Sequence, residues 1–252
     1  MKALLLAAGR GTRMGALTET LPKPMVCARP PGAPADAAPK PILETILTGL
    51  RDHAGITEVC IVIGWHAQII RNHFGDGSAY GLSLTYVEQQ VQDGTGKAPE
   101  LAKEWIGTSP FFLSYGDILV PPRDYRTLID GFQEEQEEPV GGAIGLIDGQ
   151  DLTKGGAIVL DDRRRVVEIV EKAAPDAIPA NAYYNSGLYV LTPEIFTHTA
   201  TLRKSARGEY ELTDALRGLA AAPGQGLKGV FLSEKWVDVR DPGVLAQLNG
   251  TT

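Results

Sequence analysis

The stretch Leu4–Pro24, LLLAAGRGTRMGALTETLPKP, constrains this chain more than any other. Leu4, Leu5 and Leu6 read as a short buried strand that breaks into Gly9, Arg10, Gly11, Thr12 and Arg13. Glycines at positions 9 and 11 let backbone N–H groups approach an anion, and Arg10, Arg13 and Lys23 place positive charge around it. A polyphosphate requires that combination, and a nucleoside triphosphate is the natural ligand. Two better-known glycine loops do not fit. A dinucleotide loop needs a third glycine where Met14 stands, with Pro22 and Pro24 interrupting any long helix, and a P-loop needs a Gly-Lys-Ser/Thr close that Gly15-Ala16-Leu17 lacks. A purely structural glycine turn does not account for three cations in one short loop.

The chain has 252 residues, 43% hydrophobic and 22% charged, which suits one large domain spanning 1–252 with a substantial core. A net charge of −7 argues against a nucleic-acid partner, so anionic substrates must meet local cations. The two cysteines, Cys27 and Cys60, read as reduced thiols, Cys60 within the apolar run VCIVIG. With the first apolar run cut by Gly9 and Arg10, no membrane segment is predicted and the expected setting is the cytoplasm.

Along the chain, strand and helix signals alternate. Pro41 introduces a helix through ILETILTGLRDH with Ile42, Ile46, Leu47 and Leu50 on its apolar face; Val59–Ile63 is a covered strand, followed by a helix from Ala67 to His73 and a strand over Leu82–Val87. Gly94-Thr95-Gly96-Lys97 opens a helix through Trp105, and FFLSYGDIL is a strand that delivers Asp117 at its carboxyl end, where ligands gather in open α/β sheets. Helices are predicted over Tyr125–Phe132, near Pro193, over Glu211–Ala220 and from Pro242; strands over Gly141–Ile147, Tyr184–Leu191 and Val230–Leu232. Ala157–Leu160 and Val166–Val170 flank a DDRRR hairpin turn, and the run EEQEE before Pro139 reads as a solvated helix end. The expected fold class is α/β, a Rossmann-like three-layer arrangement with a mainly parallel mixed central sheet and no C-terminal β-helix. Arg29–Pro39, rich in Ala and Pro, cannot pack a core and reads as a surface insertion, either a mobile loop at the rim of the site or inert.

LAAGRGTRM followed by LTETLPKPM closely resembles the N-terminal signature of sugar-1-phosphate nucleotidyltransferases, LAAGxGTRLxPLTxxxPKPLLPVxGKP. The resemblance extends to about Pro242, with Lys40-Pro41 restoring the pattern after the insertion. It implies that a nucleoside triphosphate and a sugar 1-phosphate give an NDP-sugar and pyrophosphate, with Mg²⁺ as cofactor. Asp117 and Asp238, the latter in WVDVRDP where the family has W-x-D-[IV]-G-T-P, would hold the metal, and Arg13 and Lys23 would act with them in catalysis. Leu6, Ala8, Gly9, Gly11, Thr12, Arg13, Lys23, Gln89, Gly94 and Thr95 would bind the nucleotide, Gln89 touching the base. Gly156, Glu171, Lys172 and Asn185 would hold the sugar phosphate, Glu171-Lys172-Ala173 standing where the family has Glu-Lys-Pro. Glu209 in GEYELTDAL is family-like too, or only opens a helix. Arg240 and Asp241 depart from the family's Gly-Thr, and Asp241 before Pro242 also suits a helix N-cap.

The chemistry fits these parts. A phosphate monoester with a second pKa near 6 is already a competent nucleophile at neutral pH, so no general base is needed. The requirement is neutralisation and in-line placement of two polyanions. His53, His66, His73 and His198 lack ligand spacing and read as structural. Two other readings stay open: a cytidylyltransferase acting on a non-sugar phosphate or phosphonate such as phosphocholine, and a non-catalytic nucleotide-sugar-binding relative. The motifs select neither the base nor the sugar, and they leave a homo-oligomer open.

Overall fold

The computed structural model describes residues 1–134, 138–171 and 174–251. The fold is α/β and Rossmann-like. The chain divides into two compact units: Met1–Gln92, Ser114–Arg126 and Lys235–Thr252 form the first, and Asp93–Leu113 with Thr127–Glu234 the second.

In the first unit, strand Lys2–Ala7 pairs in parallel with Glu58–Ile63, which pairs in parallel with Ser83–Glu88. Leu4 opposes Cys60, and Cys60 opposes Thr85. The unbroken apolar runs Leu4–Leu6 and Val59–Ile63 follow from burial on both faces. Helix Ile42–Ala54 packs Ile42, Leu43, Ile46, Leu47 and Leu50 into the core, and ends at Gly55 in the left-handed conformation. Pro41 stands as its N-cap and not inside the first turn, because its extended backbone also pairs with Cys27 in a short hairpin. Helix Ala67–Phe74 follows Glu58–Ile63 as the sequence predicts. On the other side of Lys2–Ala7 run the last residues of strand Phe111–Tyr115, where the Gly116 amide donates to Leu6 O at 2.8 Å. The chain thus builds outward from Lys2–Ala7 in one direction and returns on its opposite edge. This is a topological switch point, and the crevice at its carboxyl ends is where such sheets bind ligands.

The second unit is built on mixed pairings. Gly142–Ile147 is antiparallel to Ala182–Leu191 and parallel to Leu227–Phe231, and Gly156–Leu160 is antiparallel to both Val166–Glu171 and Ala182–Leu191. The DDRRR stretch turns the hairpin: Asp161 Oδ1 accepts from the Arg163 and Arg165 amides. Helices Ile195–Ala200 and Leu212–Ala221 lie close to their predicted positions. Gly94–Lys97 opens only a 3₁₀ turn, Ala98–Ala102, and a single α-turn, Lys103–Ile106, since Pro99 and Gly107 leave no room for more. Part of the EEQEE run lies outside the described residues. Among those described there is no β-helix, and no helix is long and apolar enough to cross a membrane.

Candidate active site

Lys2–Ala7 delivers the chain into the glycine loop at the switch point. Gly11 has φ +64°, and a Cβ there would sit 2.9 Å from Lys23 Cβ and 3.2 Å from Thr18 Cγ2, so only glycine lets the loop wrap the lysine stem. Gly9 is different. A Cβ there would meet nothing within 4 Å, so its missing side chain leaves the loop backbone open to a ligand. Among the described residues, the amides of Gly9, Arg10 and Gly11 donate no hydrogen bond, as an anion-binding nest requires. Thr18 fastens the loop from behind, its hydroxyl donating to Gly11 O at 2.9 Å, and Trp65 Nε1 in turn donates to Thr18 O at 2.9 Å. Leu6 and Ala8 flank the turn, Ala8 O accepting from the Trp65 amide, while Thr12 and Arg13 are exposed. Arg10 does not face an empty loop: its guanidinium lies 4.9 Å from the centre of the Trp65 ring.

Lys23 is buried, held in a 3₁₀ turn by Pro22 and Pro24. Its Nζ donates to Asp117 Oδ2 at 2.5 Å and lies 3.8 Å from Asp238 Oδ1. Asp117 sits in the turn between Phe111–Tyr115 and Ile118–Leu119. Asp238 reaches it through a two-residue pairing, Val237 opposite Leu119 and Asp238 opposite Ile118, reinforced by the Val239 amide donating to Asp117 O at 3.1 Å. Asp238 Oδ1 is buried without a hydrogen-bond partner. Burial first, and then the charge of Asp117, push the Asp238 carboxyl above the ordinary aspartate range, against the pull of Lys23, Arg13 and Arg240. Lys23 is hydrogen-bonded to Asp117 and not to Asp238, whose buried Oδ1 is an acceptor without a donor, and that is costly. The set fits Mg²⁺, which binds through one or two carboxylates and takes its remaining oxygens from phosphate and water. Among the described residues no third acidic, histidine or cysteine side chain joins the pair. Asp241 is the N-cap of helix Pro242–Asn249, its carboxylate accepting from the Val244 amide at 3.0 Å. Gln89 follows strand Ser83–Glu88 and is buried, its amide bonded to Ile63 O.

The other predicted residues belong to the second unit. Gly156 opposes Glu171 in register, and a Cβ on it would come within 3.2 Å of Glu171 Oε2 and 3.3 Å of Asn185 Cβ, so these three residues form one cluster. Asn185 opens an irregularity in its strand, where Gly187 has φ +79°. The Asn185 Oδ1 accepts from the Gly187 amide at 3.0 Å and the Tyr189 hydroxyl at 3.0 Å, so the bulge fixes the side chain. Lys172, predicted beside Glu171, lies outside the described residues. Gly94 and Thr95 are held elsewhere in this unit, by Tyr210. The Tyr210 amide donates to Asp93 O and its carbonyl accepts from Gly96, and Thr95 Oγ1 accepts from the Leu212 amide at 3.3 Å at the start of helix Leu212–Ala221. A Cβ on Gly94 would lie 2.3 Å from Tyr210 O. Sequence reasoning missed Trp65, Arg240 and Tyr210; of these only Trp65, just past the carboxyl end of Glu58–Ile63, carried a positional signal.

The chain is similar to known proteins in sequence and in fold. Residues 2–249 match the family described as Nucleotidyl transferase. The chain is 31% identical over 99% of its length to the low-salt glycan biosynthesis nucleotidyltransferase Agl11 of Haloferax volcanii, covering 65% of that protein. It is 31% identical, over its whole length, to the glucose-1-phosphate thymidylyltransferase of Streptomyces antibioticus, covering 66% of it, and 32% identical over 99% to the bifunctional protein GlmU of Methanococcus aeolicus, covering 54%. The chain thus spans between about half and two thirds of the length of these curated relatives. Among solved structures, a UDP-glucose pyrophosphorylase complexed with UDP-glucose shares the fold, with a TM-score of 0.82 at 22% identity over 99% of this chain and 97% of that one. A Bacillus anthracis protein crystallised with sucrose superposes with the same TM-score at 26% identity, over 100% and 94%. By the family match over almost all of its residues, the chain belongs to the nucleotidyl transferase family.

Proposed function

We propose that this protein is a Mg²⁺-dependent sugar-1-phosphate nucleotidyltransferase that joins a nucleoside triphosphate and a sugar 1-phosphate into an NDP-sugar, releasing pyrophosphate. The observation that carries the reading is the constellation of the buried Lys23 with the half-buried Asp117 and Asp238 behind an open glycine loop at a sheet switch point. The loop amides of Gly9, Arg10 and Gly11, with Arg13, receive the triphosphate. Lys23, fixed by Asp117, offers a cation that needs no reorganisation when charge builds at the transferring phosphorus. Asp117 and Asp238 would hold Mg²⁺, which when bound supplies charge neutralisation at the phosphate oxygens.

The acceptor phosphate attacks as a preformed oxyanion, so the chain has only to place it. Gly156, Glu171 and Asn185 suit that task, because the absence of a side chain at Gly156 lets the Glu171 carboxylate and the Asn185 carboxamide come close together at one place. Gln89, Gly94 and Thr95 are assigned to the nucleotide, Gln89 to its base, and Lys172 to the acceptor phosphate. A matrix of the common nucleoside triphosphates against several sugar 1-phosphates, read by pyrophosphate release and by mass spectrometry of the product, tests the reading. An NDP-sugar from at least one pair supports it. Turnover confined to phosphocholine or a phosphonate would establish the cytidylyltransferase alternative instead.

A further inference from the structure

The insertion Arg29–Pro39 and the C-terminal helix are not used by the chemistry above, yet they meet in the first unit. The insertion is the loop of a hairpin in which Cys27 opposes Pro41 and Ala28 opposes Lys40. It closes on itself: the Ala33 and Ala37 amides donate to Pro30 O and Pro34 O, and Arg29 Nε donates to Ala37 O at 3.1 Å. The segment that carries Asp238 approaches this hairpin at two places. At one end, a Cβ on Gly32 would lie 3.6 Å from Lys235 Cδ and Nζ. At the other, the Asn249 carboxamide bridges two backbone groups, its Oδ1 accepting from the Arg29 amide at 2.9 Å and its Nδ2 donating to Cys27 O at 3.2 Å. Asn249 docks there as an adjacent strand's peptide would.

Asp238 needs such support. Among the described residues its two-residue strand pairs only with Ile118–Leu119, a ladder too short to be stable alone, and its carboxylate shares Lys23 with Asp117, with Nζ 3.8 Å from an Oδ1 that is buried without a hydrogen bond. Left to local forces, the segment would move away. Helix Pro242–Asn249, capped by Asp241, makes a stiff strut between Asp238 and the clasp. We propose that the hairpin insertion and the C-terminal helix form a brace holding Asp238 beside Asp117 and Lys23, with Asn249 as its positioning residue. The insertion is then part of the site's framework and not a moving lid.

The proposal rests on the transferase reading for its kinetic arm only. In the full chain, Asn249→Ala should raise amide exchange at Asp238 and Val239 about tenfold, with exchange in strand Glu58–Ile63 unchanged, and Asn249→Asp, which keeps the acceptor and loses the donor, should fall between. Without turnover, Mn²⁺ titration followed by electron paramagnetic resonance should show affinity weakened about tenfold in Asn249→Ala. In turnover, kcat should fall about tenfold while KM for the sugar phosphate stays within about twofold. Wild-type exchange in both variants would overturn the brace whatever the kinetics. If Asn249→Ala fails to fold, Asn249→Asp decides on the same readouts, and an inactive wild type would count against the transferase reading while exchange still decides the brace.

Discussion

Lys23 and Asp117, 94 positions apart, are joined by a 2.5 Å hydrogen bond between a buried ammonium and a carboxylate that keeps part of its surface open. Such a pair is weak evidence of stability, because desolvating both charges offsets much of their attraction. Its value is in orientation. The lysine is pinned by one carboxylate, and the second, Asp238, is left short of a partner.

Removing the lysine should therefore expose the repulsion it masks. Lys23→Ala removes the cation that bonds Asp117 and lies 3.8 Å from Asp238, leaving only the influence of Arg13 and Arg240, so the melting temperature should fall by several degrees, and added Mg²⁺ should recover more of it than it adds to the wild type. Differential scanning fluorimetry with and without Mg²⁺ measures this. Equal Mg²⁺ responses in the two proteins would show that the carboxylates do not share a cation site.

Asp238→Asn should separate function from stability. Burial and Asp117 raise the folded-state pKa of Asp238 above its unfolded value of 3.8, so folding favours the protonated form. The sign follows. The contribution to stability is fully present below the ordinary aspartate range and is lost as pH rises through the folded value, leaving an ionised Asp238 unfavourable at pH 7. Without metal, Asn at this position should unfold at equal or higher temperature than the wild type at pH 7, with the difference shrinking toward pH 4, while turnover falls at least about a hundredfold. A lower melting temperature at neutral pH would contradict the assignment of an unfavourable buried charge.

The thiols should differ sharply. Cys27 is exposed, whereas burial pushes the Cys60 thiol up to about 12 within its strand. Mass spectrometry after brief alkylation at pH 8 should find one label per native chain, on Cys27, and two after denaturation. Rapid native labelling of Cys60 would mean that the strand pairing of Leu4 with Cys60 opens readily.

Packing in the first unit gives a further test away from the chemistry. A Cβ on Gly49 would lie 2.6 Å from Tyr125 Cε2, and Tyr125 is among the largest fully buried side chains. Gly49→Ala should therefore cost about 1–3 kcal/mol despite alanine's better helix propensity. Urea denaturation measures it; a stabilised variant would show that the ring has room to shift.

Much of this was legible in the sequence because the signals are local. The apolar run around Leu4, the covered run Val59–Ile63, the helix face Ile42–Leu50 and the DDRRR turn all state their structure within a few residues. Asp117 was legible because a strand end announces it. The pairing of Asp238 with Ile118 was not, since a two-residue ladder has no periodicity and depends on where distant chain is carried. Nor could the structural contact of Thr95 be read: its hydroxyl meets the Leu212 amide, 117 positions later, and no spacing rule reaches that far. The low burial of the Ala/Pro-rich loop was apparent from composition, whereas its attachment through Asn249 depended on a single carboxamide 220 positions from Arg29.

The central claim is that Lys23, Asp117 and Asp238 form one Mg²⁺-dependent transfer centre. Its most direct test is pyrophosphate release, with the best nucleoside triphosphate and sugar 1-phosphate pair, by wild type and Asp117→Asn across a Mg²⁺ titration. Wild-type turnover should disappear with chelation and return with Mg²⁺, and Asp117→Asn should stay at least about a hundredfold slower even at saturating metal while its far-ultraviolet circular dichroism is unchanged. Wild-type turnover that survives chelation, or an Asp117→Asn variant restored to normal rate by Mg²⁺, would contradict it.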